Sequence, residues 1–329
     1  MNASELGEFG LIDRLAAAVG AEPPADLIAG IGDDAAVWRA GETVLLATTD
    51  TLVEGVHFLP ELAPWADVGW KALAVNVSDI AAMGGEPLFA LITLALPPET
   101  DVAVVDDLYV GLLECARQYG VTIAGGDIVR APQVSVTIAL IGRAQMRDGE
   151  PLLMWRDAAK AGDVIAVTGT LGDSAAGLWR LRKGAPAGGP LVQAHLRPRP
   201  PLAAAQEAAR DGIACAIDVS DGLMQDLAHV CEMSGLGAHV RIEALPLSEE
   251  LRAAYPEDAL ALASTGGEDY QLLLAGAQET IERLRETAGV SVTVIGEMLE
   301  TAERGPRLLD ESGKEVAVAA GGWDHLRQA

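Results

Sequence analysis

The sequence predicts an α/β (α+β) protein built from two domains. Apolar runs typical of strands alternate with helical patterns along both halves, as in mixed α/β folds. The length of 329 residues is enough for two domains, and near residue 145 the chain turns polar and turn-rich, in QMRDGEPLLMWRDAAKAGD. We therefore place an N-terminal domain over residues 1–145 and a C-terminal domain over residues 146–329.

Helical and strand patterns alternate through the first half. GLIDRLAAAVG has helical periodicity, and TVLLATTD, residues 43–50, is an apolar strand that ends in polar residues. The long helical pattern of 68–84 stops at the Gly84–Gly85 pair, and PLFALITLALP follows as a strand. Gly120 closes the next helix, and VTIAGGD and VSVTIALIGRA read as two further strands.

The second half continues the same alternation. It opens with the strand DVIAVTG and the helix GDSAAGLWRLRKG, and a helix lies near 200–211. An apolar strand then ends at Ile217 and passes into the helical pattern GLMQDLAHV. At this junction Asp218 and Asp221 stand three positions apart, with Ser220 between them. Helix capping by Ser220 or Asp221 explains one of these acids, whereas two carboxylates this close repel unless a cation lies between them.

Composition and charge limit the partners. The chain has 48 acidic and 23 basic residues, a formal charge of −25, which repels nucleic acid and anionic membranes. The three cysteines sit in apolar surroundings without a C-x-x-C pair, which predicts buried, unpaired side chains. Neither a secretory signal nor an apolar run long enough to span a bilayer occurs, so we expect a cytoplasmic protein.

Acidic residues among small and apolar neighbours recur in five stretches. Asp79 is the most informative, because a carboxylate on the apolar face of a helix is costly to bury unless it is paired or metal-bound. Carboxylates mixed with hydroxyls are hard ligands that suit Mg²⁺, and zinc-type thiolate or imidazole clusters are absent. A cap or a turn explains any single acid, but the five together favour a metal site. The acids are Asp33, Asp34, Asp50, Asp79, Asp127, Asp218 and Asp221.

A metal site beside glycine-flanked loops suggests nucleotide chemistry, but the common motifs are missing. The sequence has no G-x-x-x-x-G-K-[ST], no G-x-G-x-x-G after a strand, and no H-R-D or D-F-G. A G-x-S-x-G for Ser-His-Asp hydrolysis is also absent. By motif the chain is neither a P-loop enzyme nor a protein kinase.

Motifs along nearly the whole chain resemble the thiamine-monophosphate kinase family. They are GEFGLIDRL, GIGDDAAV, TTDTLVEGVHF, KALAVNVSDIAAMGGEP, AGGDIVR, VTGTLGDSAAGL, HLRPRP, AIDVSDGL, STGGEDYQL and GGWDHL. That family shares its fold with aminoimidazole ribonucleotide synthetase, selenophosphate synthetase and a hydrogenase maturation protein. The selenophosphate enzymes use an early Cys or selenocysteine and the hydrogenase proteins a terminal Cys. Here no Cys precedes Cys115 and the sequence ends in Gln328–Ala329.

The resemblance implies ATP-dependent phosphorylation of thiamine monophosphate to thiamine diphosphate, by direct in-line transfer assisted by Mg²⁺. It implies a two-domain fold like that of aminoimidazole ribonucleotide synthetase, with N-terminal domains pairing in a dimer barrel and ATP between the domains. The acceptor is a phosphate oxygen, ionised at neutral pH, so no general base is needed. The alternatives are another ATP-dependent enzyme of the superfamily or an inactive homologue that binds Mg²⁺ and nucleotide.

The resemblance also implies roles for individual residues. Mg²⁺ would be held by Asp34, Thr48, Thr49, Asp50, Asp79, Asp127, Asp218 and Asp221. ATP would contact Tyr109, Gly126, Asp127, Arg156 and Ser220. Thiamine monophosphate would contact His57, Glu268 and Trp323. Catalysis, by positioning and charge neutralisation, would rest on Arg156, Asp218 and Asp221.

Plainer roles remain open for several of these residues. His57 could be an ordinary, partly buried histidine, and Trp323 a core aromatic. Glu268 could be an acid favoured by the dipole at a helix N-terminus. Arg130 could pair with a carboxylate instead of a ligand.

Overall fold

The strands of the first half form one mixed sheet. The computed structural model describes residues 2–19, 24–301 and 305–317. The strands of this sheet are β1 Leu27–Ala29, β2 Ala36–Ala40, β3 Thr43–Val53, β4 Glu86–Leu96, β5 Thr122–Arg130 and β6 Ser135–Arg143. They lie in the order β1-β2-β3-β6-β4-β5, and only the edge pair β4 and β5 is parallel.

The second half forms a sheet with the same pattern of pairing. A short ribbon precedes it in the chain, β7 Gln145–Arg147 with β8 Glu150–Leu152. The strands of the sheet are β9 Val164–Thr168, β10 Cys215–Asp218, β11 Gly237–Arg241, β12 Leu272–Gly276, β13 Val292–Leu299 and β14 Gly305–Leu309. Their order is β10-β12-β9-β13-β11-β14, with only β11 and β14 parallel. The two-domain α/β prediction is confirmed, whereas the boundary at 145 stays a prediction.

Helices pack on both sheets. Those of the first half are α1 Ala3–Leu6, α2 Glu8–Val19, α3 Trp65–Ala82 and α4 Val102–Tyr119. Those of the second half are α5 Asp173–Arg182, α6 Pro190–Leu196, α7 Leu202–Asp211, α8 Leu223–Ser234, α9 Glu249–Ala254, α10 Ala259–Thr265 and α11 Gln278–Thr287, with a 3₁₀ turn at Ile242–Ala244. Among the residues described, no helix is long and apolar enough to cross a membrane. The three cysteines are buried and unpaired, as expected.

Two strands are longer than the sequence suggested, so their acidic residues lie within the strands and not after them. β3 continues to Val53, so Asp50 lies within the strand and not at its end. β5 likewise continues to Arg130, beyond Asp127. The alternation of inward and outward side chains therefore decides which sheet face each acid occupies.

Helix α3 is the element that both halves share. On one side it packs against α4 and the first sheet, and its C-terminal residues Ala81 and Ala82 pack against alanines of α7. The indole N–H of Trp70 donates to the carbonyl of Pro198 at 2.8 Å, which adds a polar tie to the second half. Polar side chains on α3 are therefore carried to the place where the two halves meet.

The contact between α3 and α4 requires glycine. A Cβ built on Gly111 of α4 would lie 1.6 Å from the backbone oxygen of Ala66 in α3. No rotamer change relieves a clash with backbone, so a larger residue would push the two helices apart.

We expect Gly111→Ala to destabilise the protein by about 2 kcal/mol, although Ala is normally favoured over Gly inside a helix. Gly188→Ala is the control, because a Cβ there meets nothing within 4 Å. Urea unfolding of both variants measures the difference. A Gly111→Ala protein as stable as the control would show that the helices do not pack this closely.

Candidate active site

Three carboxylates from different elements meet between the two halves. Asp34 lies in the turn before β2, Asp79 lies near the end of α3, and Asp218 ends β10. One oxygen from each of these side chains lies within 4.8 Å of the others. This spacing suits a cation that all three would contact.

Hydroxyl groups beside the carboxylates orient two of them. The Thr48 hydroxyl donates to Asp79, and the Ser78 hydroxyl donates to Asp218 at 2.6 Å. Each bond engages one carboxylate oxygen and leaves the other available. The cluster is thus preorganised, and among the residues that the structure describes Asp79 forms no ion pair with a basic side chain.

An amide from α3 fixes the strand that carries Asp50. The Asn76 side-chain oxygen accepts from the Asp50 backbone N–H at 3.2 Å, and its NH₂ group donates to the Ala72 carbonyl at 3.0 Å. Asn76 is fully buried, so this link between α3 and β3 is held inside the protein. Asp50 is near enough to raise the pKa of Asp79 through charge repulsion.

Burial and mutual repulsion oppose ionisation of these acids. Burial, followed by the charges of Asp50, Asp218 and Asp34, raises the pKa of Asp79 well above its ordinary value. Burial and the charge of Asp34 raise the pKa of Asp218 to about 7. A bound cation would reverse this preference, because it stabilises the ionised carboxylates.

Arg156 supplies positive charge next to Asp34 in the cluster. Its guanidinium forms an ion pair with Asp34, and its backbone N–H donates to Asp33 at 3.2 Å. Burial lowers the pKa of Arg156, but Asp34, Asp218 and Asp33 outweigh it and raise the pKa above its ordinary value. Within the described ranges, Nε of Arg156 and one oxygen of Asp34 are buried without a hydrogen-bond partner. Each atom therefore keeps unused bonding capacity, as a donor in the case of Arg156 and as an acceptor in the case of Asp34.

The loop between β10 and α8 is held by an acid that the sequence reading missed. The buried Asp226 carboxylate accepts from the backbone N–H groups of Ser220, Asp221 and Gly222 at 3.1, 3.2 and 3.1 Å. The expected capping by Ser220 or Asp221 is wrong, since α8 begins after Gly222 and Asp226 takes these N–H groups instead. The Asp221 carboxylate accepts from Gln225 at 3.2 Å.

A cavity of about 800 Å³ extends from the acids into the second half. Asp50, Asp79, Asp218 and Asp221 line one end, with Thr49 and Ser220 beside them. The other end is lined by apolar side chains and by His57, Lys71, His195 and Glu268. The cavity therefore has an acidic end and an end suited to an organic group.

His57 and Glu268, both predicted substrate contacts, lie at this second end. Nδ1 of His57 accepts from the Val53 backbone N–H at 3.0 Å, so the ring is fixed at the end of β3. Glu268 forms an ion pair with Lys71 at 2.6 Å. The structure thus brings together two residues that lie far apart in the sequence.

Other predicted residues lie away from this cavity. Asp127 is exposed on the edge strand β5, and its carboxylate accepts from the Ile128 N–H at 2.8 Å. The register places Asp127 on the outer face of the sheet with Thr51, whereas Asp50 lies on the α3 face. Three strand spacings, roughly 14 Å, separate β5 from β3. Asp127 therefore cannot join the cluster of its own chain.

The remaining predicted residues fall into three cases. Gly126 is required by the backbone, since a Cβ there would lie 1.8 Å from the Ile92 carbonyl oxygen. Tyr109 on α4 packs against the core of the first half and does not line the cavity. Trp323 lies outside the described residues.

Comparison with known proteins identifies the family. The chain matches the family models of the AIR synthase related protein, N-terminal domain over residues 32–144 and C-terminal domain over residues 160–307. The thiamine-monophosphate kinase of Escherichia coli O157:H7 is 40% identical over 335 residues, which cover 97% of this chain and 98% of that protein. The chain belongs to the thiamine-monophosphate kinase family. The Aquifex aeolicus (strain VF5) member is 37% identical and covers 99% of this chain and 100% of its own length.

A solved structure of this kinase family has the same fold. AaThiL complexed with AMPPCP and TMP superposes with a TM-score of 0.86 at 36% identity, covering 99% of each chain. The fold expected from the resemblance, that of the AIR synthase related proteins, is therefore confirmed.

Three residues of the site escaped the sequence reading, although signals for them existed. Asp226 stands in the first turn of α8, where an acid favours the helix N-terminus. Lys71 is a charged residue in an apolar helix, on the same stripe as Asp79. His195 begins the motif HLRPRP. In each case the signal was a polar residue inside an apolar pattern. The partners are in the preceding loop for Asp226 and in other parts of the fold for Lys71 and His195.

We expect the metal-free protein to lose stability as the pH rises from about 4 to about 7. The raised pKa of Asp218, about 7 against an ordinary 3.8, favours its protonated form in the fold, so the advantage is complete below the ordinary value. It is lost as the pH rises through the folded-state pKa. Melting temperature in EDTA measures this dependence, which should be shallower in Asp218→Asn. An equal slope in both proteins would contradict the assignment.

Proposed function

We propose how this kinase carries out the reaction of its family, the ATP-dependent phosphorylation of thiamine monophosphate. Both substrates would bind in the cavity between the two halves, with the reacting phosphates at the acidic end. The observation that carries the proposal is the meeting of Asp34, Asp79 and Asp218 at one end of a cavity whose other end contains His57 and Glu268.

Mg²⁺ fits the donor set of the acidic end. The donors are carboxylate and hydroxyl oxygens, and one buried oxygen of Asp34 has no partner within the part of the chain that the structure describes. When bound, Mg²⁺ supplies positive charge that offsets the charge of the phosphates. The proposed side-chain ligands from one chain are Asp34, Thr48, Asp50, Asp79, Asp218 and Asp221. The side chain of Thr49 lies on the outer face of β3 with Thr51, so its predicted role is not kept.

The side chains would then act by positioning and by charge. The acceptor oxygen of thiamine monophosphate is already ionised, so direct in-line transfer needs no basic residue. Arg156 would donate to a nucleotide phosphate through its Nε–H, which has no hydrogen-bond partner among the described residues, and Ser220 would also contact the nucleotide. Asp218 and Asp221 would be ligands of the cation whose charge offsets that of the phosphates. His57 and Glu268 would hold the organic part of the acceptor.

The exposed face of the first sheet favours a homodimer. Phe89 and Leu91 of β4 are 48% and 45% exposed, and Val129 of the edge strand β5, on the same face, is 43% exposed. Apolar side chains beside an unpaired edge are an association surface. We propose that two copies pair through these strands as a shared barrel. The outer face that carries Asp127, with Gly126 next to it in β5, would then approach the site of the partner.

The cellular setting follows from composition. The formal charge of −25 disfavours nucleic acid and anionic membranes as partners, and the proposed location is the cytoplasm. The proposed domains are 1–145, for Mg²⁺, ATP and dimer contacts, and 146–329, which completes the cleft.

We expect thiamine diphosphate, identified by mass, when the protein is incubated with ATP, Mg²⁺ and thiamine monophosphate. Asp79→Asn should lower turnover by about a hundredfold or more while leaving the fold intact, because it removes one negative ligand. Asp106→Asn, an exposed acid on α4, is the matched control. Near-normal turnover of Asp79→Asn would show that this acid is structural. Nucleotide binding without product would favour an inactive homologue.

The dimer proposal predicts that two inactive variants restore each other. If Asp127 serves the partner, a mixed dimer of Asp79→Asn and Asp127→Asn has one intact site, so mixing by co-expression should recover about a quarter of normal activity. If Asp127 serves its own chain, both sites of the mixed dimer are damaged and no activity returns. Sedimentation should show a dimer. A monomer at micromolar concentration would contradict the shared barrel.

A further inference from the structure

A buried polar network lies at the end of the cavity away from the carboxylate cluster. Lys71 of α3 places Nζ 2.6 Å from Oε1 of Glu268, and His195 of α6 places Nδ1 3.3 Å from Oε2. Nδ1 of His195 also lies 3.2 Å from the Ser174 hydroxyl. The side chains of Lys71 and His195 are 5% and 7% exposed, whereas that of Glu268 is 29% exposed. Glu268 is therefore the member of the network that a ligand can best reach.

The charges of this network balance one another. Burial alone would raise the pKa of Glu268, but Lys71, His195 and His57 outweigh it and hold the pKa below its ordinary value. Burial and the charges of Lys71 and Arg182 lower the pKa of His195 to about 3, against the opposite effect of Glu268. The imidazole is therefore neutral, and its Nδ1–H can donate to Glu268. Lys71 therefore makes the largest contribution to offsetting the charge of the carboxylate.

The backbone of Glu268 is held as firmly as its side chain. Its φ is +67°, a left-handed conformation that is uncommon for residues other than glycine. The Glu268 N–H donates to the Ser220 carbonyl at 2.7 Å. The neighbouring Asp269 carboxylate accepts from the N–H groups of Gly172 and Ser174 at 2.6 and 3.1 Å. A strained residue held by so many bonds is typical of functional sites.

We propose that Lys71 and His195 are positioning residues that fix the Glu268 carboxylate as a hydrogen-bond acceptor for the organic part of the acceptor substrate. This inference rests on the proposed function, in which Glu268 contacts thiamine monophosphate. Each oxygen of Glu268 is engaged by one of the two residues, and its remaining lone pair is left for the ligand. Lys71 offsets the negative charge of Glu268. The network therefore recognises thiamine monophosphate by the positions of the two Glu268 oxygens, which accept hydrogen bonds, and not by net charge.

The role predicts a selective kinetic effect. Lys71→Met removes the positive charge but keeps a side chain of similar length. It should raise the KM for thiamine monophosphate by about tenfold or more and change the KM for ATP by less than about twofold. If Lys71 had only a structural role, its loss would raise the KM values for both substrates. Lys183→Met, an exposed lysine at the end of α5, is the control. An equal rise in both KM values would overturn the proposal.

A double-mutant cycle tests whether Lys71 acts through Glu268. In a Glu268→Gln background, Lys71→Met should add less than about twofold to the KM for thiamine monophosphate, because the carboxylate it orients is gone. Independent, multiplying effects would overturn the proposal. The double variant also removes both buried charges, so it remains informative if Lys71→Met alone does not fold.

The two substitutions of His195 give a rescue experiment. His195→Asn keeps an N–H donor near Nδ1 and should stay within about threefold of the normal KM, whereas His195→Leu removes the donor and should raise it about tenfold. Equal values for both would overturn the role of His195. Absence of product with unmodified protein would instead overturn the proposed function. An active protein with an unchanged KM in Lys71→Met would overturn only the positioning role.

Discussion

The site depends on burying like charges from both halves of the chain around a single helix. Asp79 of α3 lies within reach of Asp34 and Asp218, and burial makes their mutual repulsion strong. Hydroxyl donors and the Arg156 ion pair reduce this cost but do not remove it. Such a cluster favours cation binding, because a bound cation reduces the repulsion among the three carboxylates and the protein's own groups do so only in part.

Helix α3 also sets the length of the cavity. Lys71, Val75 and Asp79 lie at successive intervals of four residues, and all three line it. At 1.5 Å per residue, Lys71 and Asp79 are separated by about 12 Å along the helix axis. The charge-balanced network and the acidic cluster are therefore held at a fixed spacing by one rigid element. Close packing of α3 against α4 at Gly111 keeps that element in place.

Much of the fold and part of the site could be predicted from the sequence. Periodicity placed most helices and strands, and glycine marked the end of α4 at Gly120, where φ is +72°. One acid from each of GIGDDAAV, NVSD and DVSD lies in the carboxylate cluster, and the metal role expected for these acids stays a prediction. Residue type and local pattern are enough for such conclusions.

The sequence did not reveal which side chains contact one another in the fold, or which face of a sheet each strand residue occupies. Asp226 of α8 binds the loop directly before its own helix, whereas Lys71 of α3 pairs with Glu268 far along the chain. Residue type alone specifies neither contact. Asp50 and Asp127 look alike as strand acids, yet alternation within β3 and β5 sends them to opposite faces of one sheet. A single chain therefore offers Asp127 only to its outer surface. That surface also has several exposed apolar side chains, which favour association. The strands that associate would bring the Asp127 carboxylate to a second copy of the chain. Activity would then depend on dimer formation.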